Sequence, residues 1–297
     1  MTINIDPIIV KIGPFAPHWY GFIMMFGLLV GLVIFARGLR RRSISPDHAW
    51  GIAIIAVPLG IIGARLFSVL DNFGYYWHHP GQIVGWQLIG LAIYGVLTGG
   101  ILGLVIYCRW KKLPTLRVLD ATALAFPVAQ IIGRFANIIN GDTWGPPTKL
   151  PWGITYTNPN ALLPSNLLGV PTHPTPVYEQ LWLLVMVGLL LYLVPRFKTD
   201  GMAILCYLGL YSLGRFFISF YRVNNIIFLG MREAQLFAVA GIILVPPAMY
   251  LLKRRASVRA LRTVSTQELG NSELVGLATG EPVPDRTTVE HDDHGES

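Results

Sequence analysis

The feature that most constrains this chain is a series of long apolar segments. Each is about 20 residues long, enough for a helix to cross the roughly 30 Å hydrocarbon core of a bilayer. The 297-residue chain is 53% hydrophobic and only 13% charged, whereas soluble domains carry about 25% charged residues. A transmembrane β-barrel would show short alternating segments instead. The sequence therefore predicts an all-α, polytopic membrane protein.

About seven transmembrane helices are expected, at residues 18–37, 50–70, 86–107, 120–139, 177–195, 201–220 and 233–252. Basic clusters follow the first, third, fifth and seventh span, beginning at Arg37, Arg109, Arg196 and Lys253. Alternating spans place all four clusters on one side, and cytoplasmic loops are rich in Lys and Arg. We therefore expect the N-terminus outside and the C-terminus in the cytoplasm. These loops account for most of the net charge of +7, so no nucleic-acid partner is expected.

Two parts of the chain are expected. Residues 1–252 form a seven-helix membrane domain with a proline-rich outer loop, 140–176, between spans four and five. Long ordered loops are usually functional, although a passive connector is the alternative. Residues 253–297 are basic, then acidic, and lack apolar periodicity, which predicts a disordered cytoplasmic tail. The two cysteines have no disulfide or metal spacing.

Arginines stand where the bilayer makes them costly. An arginine near the bilayer centre costs roughly 2.5–3.5 kcal/mol on insertion scales. The predicted spans nevertheless contain or adjoin four: Arg65, Arg134, Arg215 and Arg222. Candidate acidic partners are few: Asp120, Asp142 and Glu179. An anionic ligand such as a phosphate would balance the surplus, because the planar guanidinium matches phosphate geometry. Internal pairing with the acids is the alternative.

The spacing of polar residues groups these arginines into two helix faces. Span four carries Arg134, Asn137 and Asn140 at i, i+3 and i+6. Span six carries a stripe at i, i+4, i+8 and i+11, formed by Tyr211, Arg215, Ser219 and Arg222. Two such faces at similar depth indicate one pocket, and a structural polar network is the alternative. In span three, Gly95, Gly99 and Gly103 favour close helix packing, although Gly95, Gly99 and Gly100 could also leave room for a lipid chain or headgroup.

Four segments resemble the prolipoprotein diacylglyceryl transferases of bacteria. They are Asp6-Pro7 with Gly13-Pro14 and His18-Trp19-Tyr20-Gly21, the string GRFANIINGDTWG at 133–145, HPTPVYE at 173–179, and RFF at 215–217. The resemblance covers roughly residues 5–250 in matching order, and the string in span four is the most specific part. The tail lies outside the resemblance.

The resemblance implies a transferase of the bacterial cytoplasmic membrane. Its donor would be phosphatidylglycerol, and its acceptor the lipobox cysteine of a prolipoprotein signal peptide that shares the bilayer with the membrane lipids. Attack by the thiol would form a thioether and release glycerol phosphate, as the first step of lipoprotein biosynthesis. No metal and no cofactor is implied.

The resemblance also assigns residues. Arg134 and Arg215 match the essential arginines that handle the lipid phosphate, and Tyr20 matches a tyrosine of the first span. Together with Tyr94, these are the expected catalytic residues. The expected substrate-binding residues are Asn137, Asn140, Gly145, Arg65, Arg222, His173, Tyr178 and Glu179.

Two positions depart from the family pattern. Many members carry a histidine, proposed as the catalytic base, where this chain has Tyr94. Tyrosine has an ordinary pKa of about 10, so the neutral phenol is a poor base at pH 7. Ser219 stands where an acid is expected in span six. The proton acceptor therefore stays open among Tyr20, Tyr94, His18, His173 and a lipid phosphate oxygen, although His18 also fits an interfacial aromatic belt.

Other functions fit the composition less well. A transporter for an anionic substrate would also need buried arginines, but its charges should cross the whole bilayer rather than gather in the outer half. A retinal photoreceptor needs a lysine inside a span, and every lysine here falls in a loop or terminus. A structural scaffold does not explain the arginine surplus.

Overall fold

The computed structural model describes residues 1–13, 16–84, 93–223, 226–228 and 230–279 of the chain. It divides into two units after Met249. The described helices are α1 Trp19–Arg40, α2 Asp47–Asp71, α3 Phe73–His78, α4 Ile93–Trp110, α5 Thr115–Thr122, α6 Ala125–Asn140, α7 Thr175–Leu193, α8 Met202–Ile218 and α9 Glu233–Thr279. Two short sheets accompany them. Strand β1 (Thr2–Ile3) pairs in parallel with β2 (Thr155–Tyr156), and β3 (Ile226–Phe228) pairs antiparallel with β4 (Met231–Arg232).

The all-α, polytopic prediction is confirmed. Among the described residues, six stretches are long and apolar enough to cross a bilayer: Trp19–Arg40, Asp47–Asp71, Thr115–Asn140, Thr175–Arg196, Met202–Tyr221 and Glu233–Val258. A shorter apolar helix, Tyr94–Trp110, lies where the third span is expected. The start of that predicted span lies outside the described residues, which resume at residue 93.

Close glycine packing joins α2 to α4. A Cβ atom on Gly95 would overlap the carbonyl of Gly63, and one on Gly99 would overlap the carbonyl of Leu59. A Cβ on Gly103 would lie 2.6 Å from the Cα of Ala56. The packing role is therefore confirmed for all three span-three glycines, and helix α2 fills the space that a lipid could have taken at Gly95 and Gly99.

Helices α6, α7 and α8 form the part of the bundle that positions the candidate site. Their shared core includes Leu183, Met186 and Tyr207. At one end, the buried Asp120 carboxylate accepts hydrogen bonds from the Gly201 and Ile204 backbone amides, at 2.8 and 2.9 Å. These amides belong to the first turn of α8, where a helix has unsatisfied donors. Asp120 thus fixes where α8 begins.

The predicted outer loop is ordered and has a small core of its own. Ile3, Ile154, Tyr156, Ala161 and Leu163 are buried together. The N-terminal segment adds β1 to strand β2 of this loop. The loop is thus more than a passive connector, because it binds the start of the chain and carries residues of the candidate site.

The end of the chain differs in part from the prediction. Helix α9 continues to Thr279, whereas disorder was expected from residue 253. Residues 253–279 are rich in Ala, Leu, Arg and Glu, which have high helix propensity, so a local helix can form without an apolar face. The acidic end of the predicted tail, residues 280–297, lies outside the described residues.

Candidate active site

Glu179 is the centre of a charged cluster at one end of the bundle. Its side chain is only 9% exposed. Its Oε2 atom lies 2.5 Å from Arg134 Nε on α6. Its Oε1 atom accepts hydrogen bonds from Arg215 Nη1 on α8, at 2.7 Å, and from Arg222 Nη1 just after α8, at 2.9 Å. One carboxylate therefore holds three guanidinium groups, and the two arginine-led faces predicted from spacing meet at it.

The start of α7 places Glu179 there. The helix begins at Thr175, directly after Pro174, and has Pro176 in its first turn, a position where proline's fixed φ and missing N–H fit a helix. The Thr175 hydroxyl donates to the backbone carbonyl of Thr143. This bond ties the start of α7 to the loop that follows α6.

The cluster is electrostatically unbalanced. Within this quartet one negative charge faces three positive ones, and all four side chains are less than one-fifth exposed. Desolvated charges are costly unless they are compensated. Because Glu179 compensates only one of the three arginines, the cluster suits an anion, and a phosphate fits the planar donors of arginine.

A second hydrogen-bonded chain runs along the same face of α6. Arg134 Nη1 donates to Asn137 Oδ1 at 2.9 Å, and Asn137 Nδ2 donates to Asp142 Oδ1 at 2.7 Å. Asn140 Nδ2 donates to Asp142 Oδ2 at 3.2 Å. Gly141, at a φ of +71°, caps the helix in the left-handed conformation and lets the chain turn back over this face. Burial raises the pKa of the Asp142 carboxyl despite the two asparagine donors.

Gly145 joins the motif loop to two other elements. Its backbone amide donates to the His173 carbonyl at 3.1 Å. A Cβ atom at this position would lie 2.5 Å from the Tyr221 carbonyl oxygen and 2.6 Å from His173 Cβ. Only glycine fits there. Gly145 is therefore a packing position beside the cluster.

Aromatic side chains surround this junction. His173 Nδ1 lies 3.1 Å from the Tyr178 hydroxyl, which also accepts a hydrogen bond from Trp152 Nε1 at 3.0 Å. The Tyr221 ring packs against both, with centroids 5.3 Å from His173 and 5.9 Å from Tyr178. Tyr178 directly precedes Glu179 and Tyr221 directly precedes Arg222 in the chain, so these packed rings adjoin the charged cluster.

Tyr20 faces the same region from the first turn of α1. Its phenol lies within electrostatic range of Asp142 and Arg134. The start of α1 is fixed by the Trp19 amide, which donates to the Pro7 carbonyl at 3.0 Å. The structure therefore brings Tyr20 towards the α6 face.

Tyr94 has a partner that the sequence reasoning missed. Its ring packs on Phe237 of α9 with centroids 4.6 Å apart. Glu233, one turn earlier in α9, interacts with the Tyr94 phenol, and Arg215 and Tyr211 are within electrostatic range. Glu233 could have been singled out because it is an acid in the first turn of the last apolar helix, where the helix dipole favours a carboxylate.

Arg65 does not join the charged cluster through the contacts described for it. Its guanidinium donates to the Gln82 carbonyl and lies 5.4 Å from the centroid of the Tyr76 ring. Both partners follow α2 in the chain. This environment could not be predicted, because no local sequence pattern relates a span to the fold of the loop after it.

Arg232 is a further cation that the sequence reasoning missed. Its Nη1 atom donates to the Ser219 carbonyl at 2.5 Å, and the Ser219 hydroxyl donates to the Arg215 carbonyl at 2.6 Å. Ser219 is fully buried. It therefore links α8 to the segment that precedes α9.

Comparisons with known proteins identify the family of this chain. The family model described as prolipoprotein diacylglyceryl transferase matches residues 7–251. A phosphatidylglycerol–prolipoprotein diacylglyceryl transferase of Clostridioides difficile (strain 630) is 39% identical over 225 residues, 76% of this chain and 86% of the relative. The protein of the same name from Streptococcus uberis is 33% identical over 257 residues, 86% of this chain and 98% of the relative. The matched region contains every expected site residue, and the chain belongs to the prolipoprotein diacylglyceryl transferase family.

Proposed function

We propose that this chain transfers the diacylglyceryl group of phosphatidylglycerol to the cysteine thiol of a prolipoprotein lipobox. The products are a thioether-linked prolipoprotein and glycerol phosphate. The observation that carries the proposal is the cluster in which Arg134, Arg215 and Arg222 share the single carboxylate of Glu179. The names of the relatives identify the two substrates. The excess positive charge of the cluster fits the anionic one, phosphatidylglycerol.

The arginines would act on the leaving group. The thiolate sulfur attacks the glycerol carbon of the diacylglyceryl unit, the carbon–oxygen bond to the phosphate breaks, and the electron pair stays on that oxygen. Negative charge therefore grows where Arg134 and Arg215 can donate hydrogen bonds. In a site shielded from water, such fixed donors can be the largest single contribution to rate.

Further polar atoms are available for the glycerol and phosphate oxygens. Among the described residues, Asn140 Oδ1 and Arg232 Nε are buried and have no protein hydrogen-bond partner. Asn140 could accept from a hydroxyl group, and Arg232 could donate to an anion. Asn137 holds Arg134 in position, and Gly145, His173 and Tyr178 shape the wall beside Tyr221.

The thiol proton would leave through Tyr94 and Glu233. The Tyr94 oxygen accepts the proton from the thiol while its own proton passes to the Glu233 carboxylate. A carboxylate next to the phenol removes the need for tyrosinate, which a pKa near 10 makes scarce at pH 7. Glu233, at the start of α9, can then return the proton to water. Tyr20, near Arg134 and Asp142, would position the lipid headgroup.

The reaction would take place in the bacterial cytoplasmic membrane. Both substrates are anchored in the bilayer, so the site need open only towards lipid. With the N-terminus outside, as the arginine-rich loops predict, the Glu179 cluster lies at the outer end of the bundle, where a translocated signal peptide presents its cysteine.

The proposal is tested by a transfer assay with purified full-length protein in detergent. The donor is phosphatidylglycerol labelled in its acyl chains, and the acceptor is a synthetic lipobox peptide or its Cys→Ser version. We expect label on the cysteine peptide alone. Label on neither peptide, from folded protein and any anionic lipid, would contradict the proposal and favour the anion-transporter alternative.

A further inference from the structure

A cavity lies at the end of the bundle away from Glu179. Its volume is about 550 Å³, within the range of roughly 300–1,000 Å³ typical of ligand sites. It is lined by residues of α1, α5, α6, α7, the start of α8 and the segment between α7 and α8. Leu191, which lines it, is twelve residues along α7 from Glu179, or about 18 Å. The cavity is therefore separate from the candidate active site.

The walls of this cavity within the bundle are apolar. They are formed by Ile34, Leu124, Val128, Val187, Leu191 and Val194. Val187 and Leu191 are one turn apart on α7, and Leu124 and Val128 are one turn apart where α6 begins. The apolar part is therefore a groove that follows α7 and the start of α6 for at least one turn, which suits a hydrocarbon chain better than a compact polar molecule.

The mouth of the cavity is basic. Arg37, Arg41 and Arg42 line it from the end of α1. Nothing in the described part of the chain forms an ion pair with any of the three. Arg42 is half-buried, and burial lowers the pKa of its guanidinium. A desolvated arginine without an ion pair favours an anionic ligand.

The two acids of the cavity are already engaged. Asp120 accepts from the Gly201 and Ile204 amides. Asp200 forms an ion pair with Arg117, with an Nη2 to Oδ2 distance of 3.0 Å. Both carboxylates lie within electrostatic range of Arg42, but each already has other partners, so they offset only part of the charge of the three arginines.

We propose that this cavity binds an anionic phospholipid, with one acyl chain along the apolar groove and the phosphate against Arg37, Arg41 and Arg42. An inorganic phosphate would leave the groove empty, and a zwitterionic lipid would place a second positive charge beside the arginines. Basic pockets between membrane helices bind anionic lipid headgroups in this way. The site is independent of transfer activity and lies at the other end of the bundle.

Photocrosslinking of the full-length protein in nanodiscs tests this site. The probes are phosphatidylglycerol and phosphatidylcholine that carry a diazirine on one acyl chain, and labelled peptides are identified by mass spectrometry. We expect phosphatidylglycerol to label the cavity-lining segments of α1 and α7 at least fivefold more than phosphatidylcholine does. Equal labelling by both probes would indicate general lipid contact and overturn the proposal.

Variants separate headgroup binding from chain binding. The variant R37Q/R41Q/R42Q should lose the preference for phosphatidylglycerol, whereas R109Q/K111Q/K112Q, with the same charge change at the end of α4, should keep it. Val187→Trp fills the groove without changing charge and should lower labelling of α7 by both probes. If R37Q/R41Q/R42Q misfolds, Val187→Trp still tests the proposal. Labelling of α7 by phosphatidylglycerol that stays at the wild-type level in Val187→Trp would show that no acyl chain occupies the groove.

Discussion

The Oε2 atom of Glu179 lies 2.5 Å from the Nε atom of Arg134, which joins the start of α7 to the end of α6. The other oxygen of the same carboxylate holds Arg215 and Arg222. Glu179 thus brings together arginines from separate helices, whose mutual repulsion would otherwise push them apart. Glu179 neutralises only one of the three positive charges, so the arginines that it positions can still bind an anionic substrate.

Replacing Glu179 by glutamine should destabilise the fold. The substitution leaves three poorly exposed guanidiniums without a counter-charge, and breaking a buried pair costs about 3–5 kcal/mol. The control is Asp200→Asn, whose pair with Arg117 is 42–44% exposed and should be worth about 1 kcal/mol or less. Thermal unfolding in detergent measures both. Equal losses in the two variants would show that Glu179 does not organise the cluster.

Arg215→Lys should reduce transfer far more than it reduces stability. Lysine keeps the charge but offers a point donor in place of a planar fork. We expect a loss of about 10²-fold in kcat, typical of removing one donor to a developing negative charge. Arg117→Lys, on the far side of the bundle, is the matched control and should keep wild-type kcat. A wild-type rate in Arg215→Lys would remove it from the chemical step.

Gly145→Ala should lower both activity and stability, because the added methyl group has no space. The added Cβ would lie 2.5 Å from the Tyr221 carbonyl oxygen, so the motif loop or the end of α8 must move. We expect at least a tenfold fall in activity and a lower melting temperature. Gly188→Ala, in α7 with nothing within 4 Å of the added atom, should be neutral or slightly stabilising. Parallel activity and melting measurements compare the two.

If Tyr94 and Glu233 form one proton path, removing either group should lower the rate of transfer by a similar factor. Glu233→Gln and Tyr94→Phe should each lower kcat by about 10²-fold, the usual contribution of general base catalysis, and the double variant should be no worse than either single one. Tyr94→His would restore the family histidine and should be active without Glu233. Tyr192→Phe, on the exposed face of α7, is the control. Additive losses in the double variant would contradict a shared path.

Asp142 should make stability depend on pH in a defined direction. Burial raises its pKa in the folded state above the ordinary 3.8, so the folded protein keeps this proton where the unfolded chain has lost it. The Asp142 contribution to stability is therefore present below pH 3.8 and is lost as pH rises through the folded-state pKa. Subtracting the pH profile of Asp142→Asn from that of the wild type should show this fall. A difference that rises with pH would contradict it.

The helices and the two arginine faces could be predicted because each depends on local spacing. Span length predicts a membrane helix, and the positions of Arg134, Asn137 and Asn140 place them on one side of a turn. The surplus of arginines over acids also needed only counting. These features survive in the structure because the bilayer forces helices and penalises unpaired charge.

The partners of Tyr94 and Arg65 could not be predicted in the same way. Tyr94 meets Glu233 and Phe237 only because α4 and α9 are neighbours near their ends, and no local pattern encodes which distant helices pack together. Arg65 turns to Tyr76 because the loop after α2 folds back over it. The helix at residues 253–279 was missed because apolar periodicity, which it lacks, was the criterion for order.

The most direct measurement is a single-turnover transfer from labelled phosphatidylglycerol to the lipobox peptide, compared between wild type, Arg134→Gln, Arg215→Gln and Arg117→Gln. We expect transfer by the wild type and by Arg117→Gln, and at least a 10²-fold loss in the other two, with all four proteins folded. Transfer at the wild-type rate by Arg134→Gln and Arg215→Gln would show that the Glu179 cluster is not where the lipid phosphate is held.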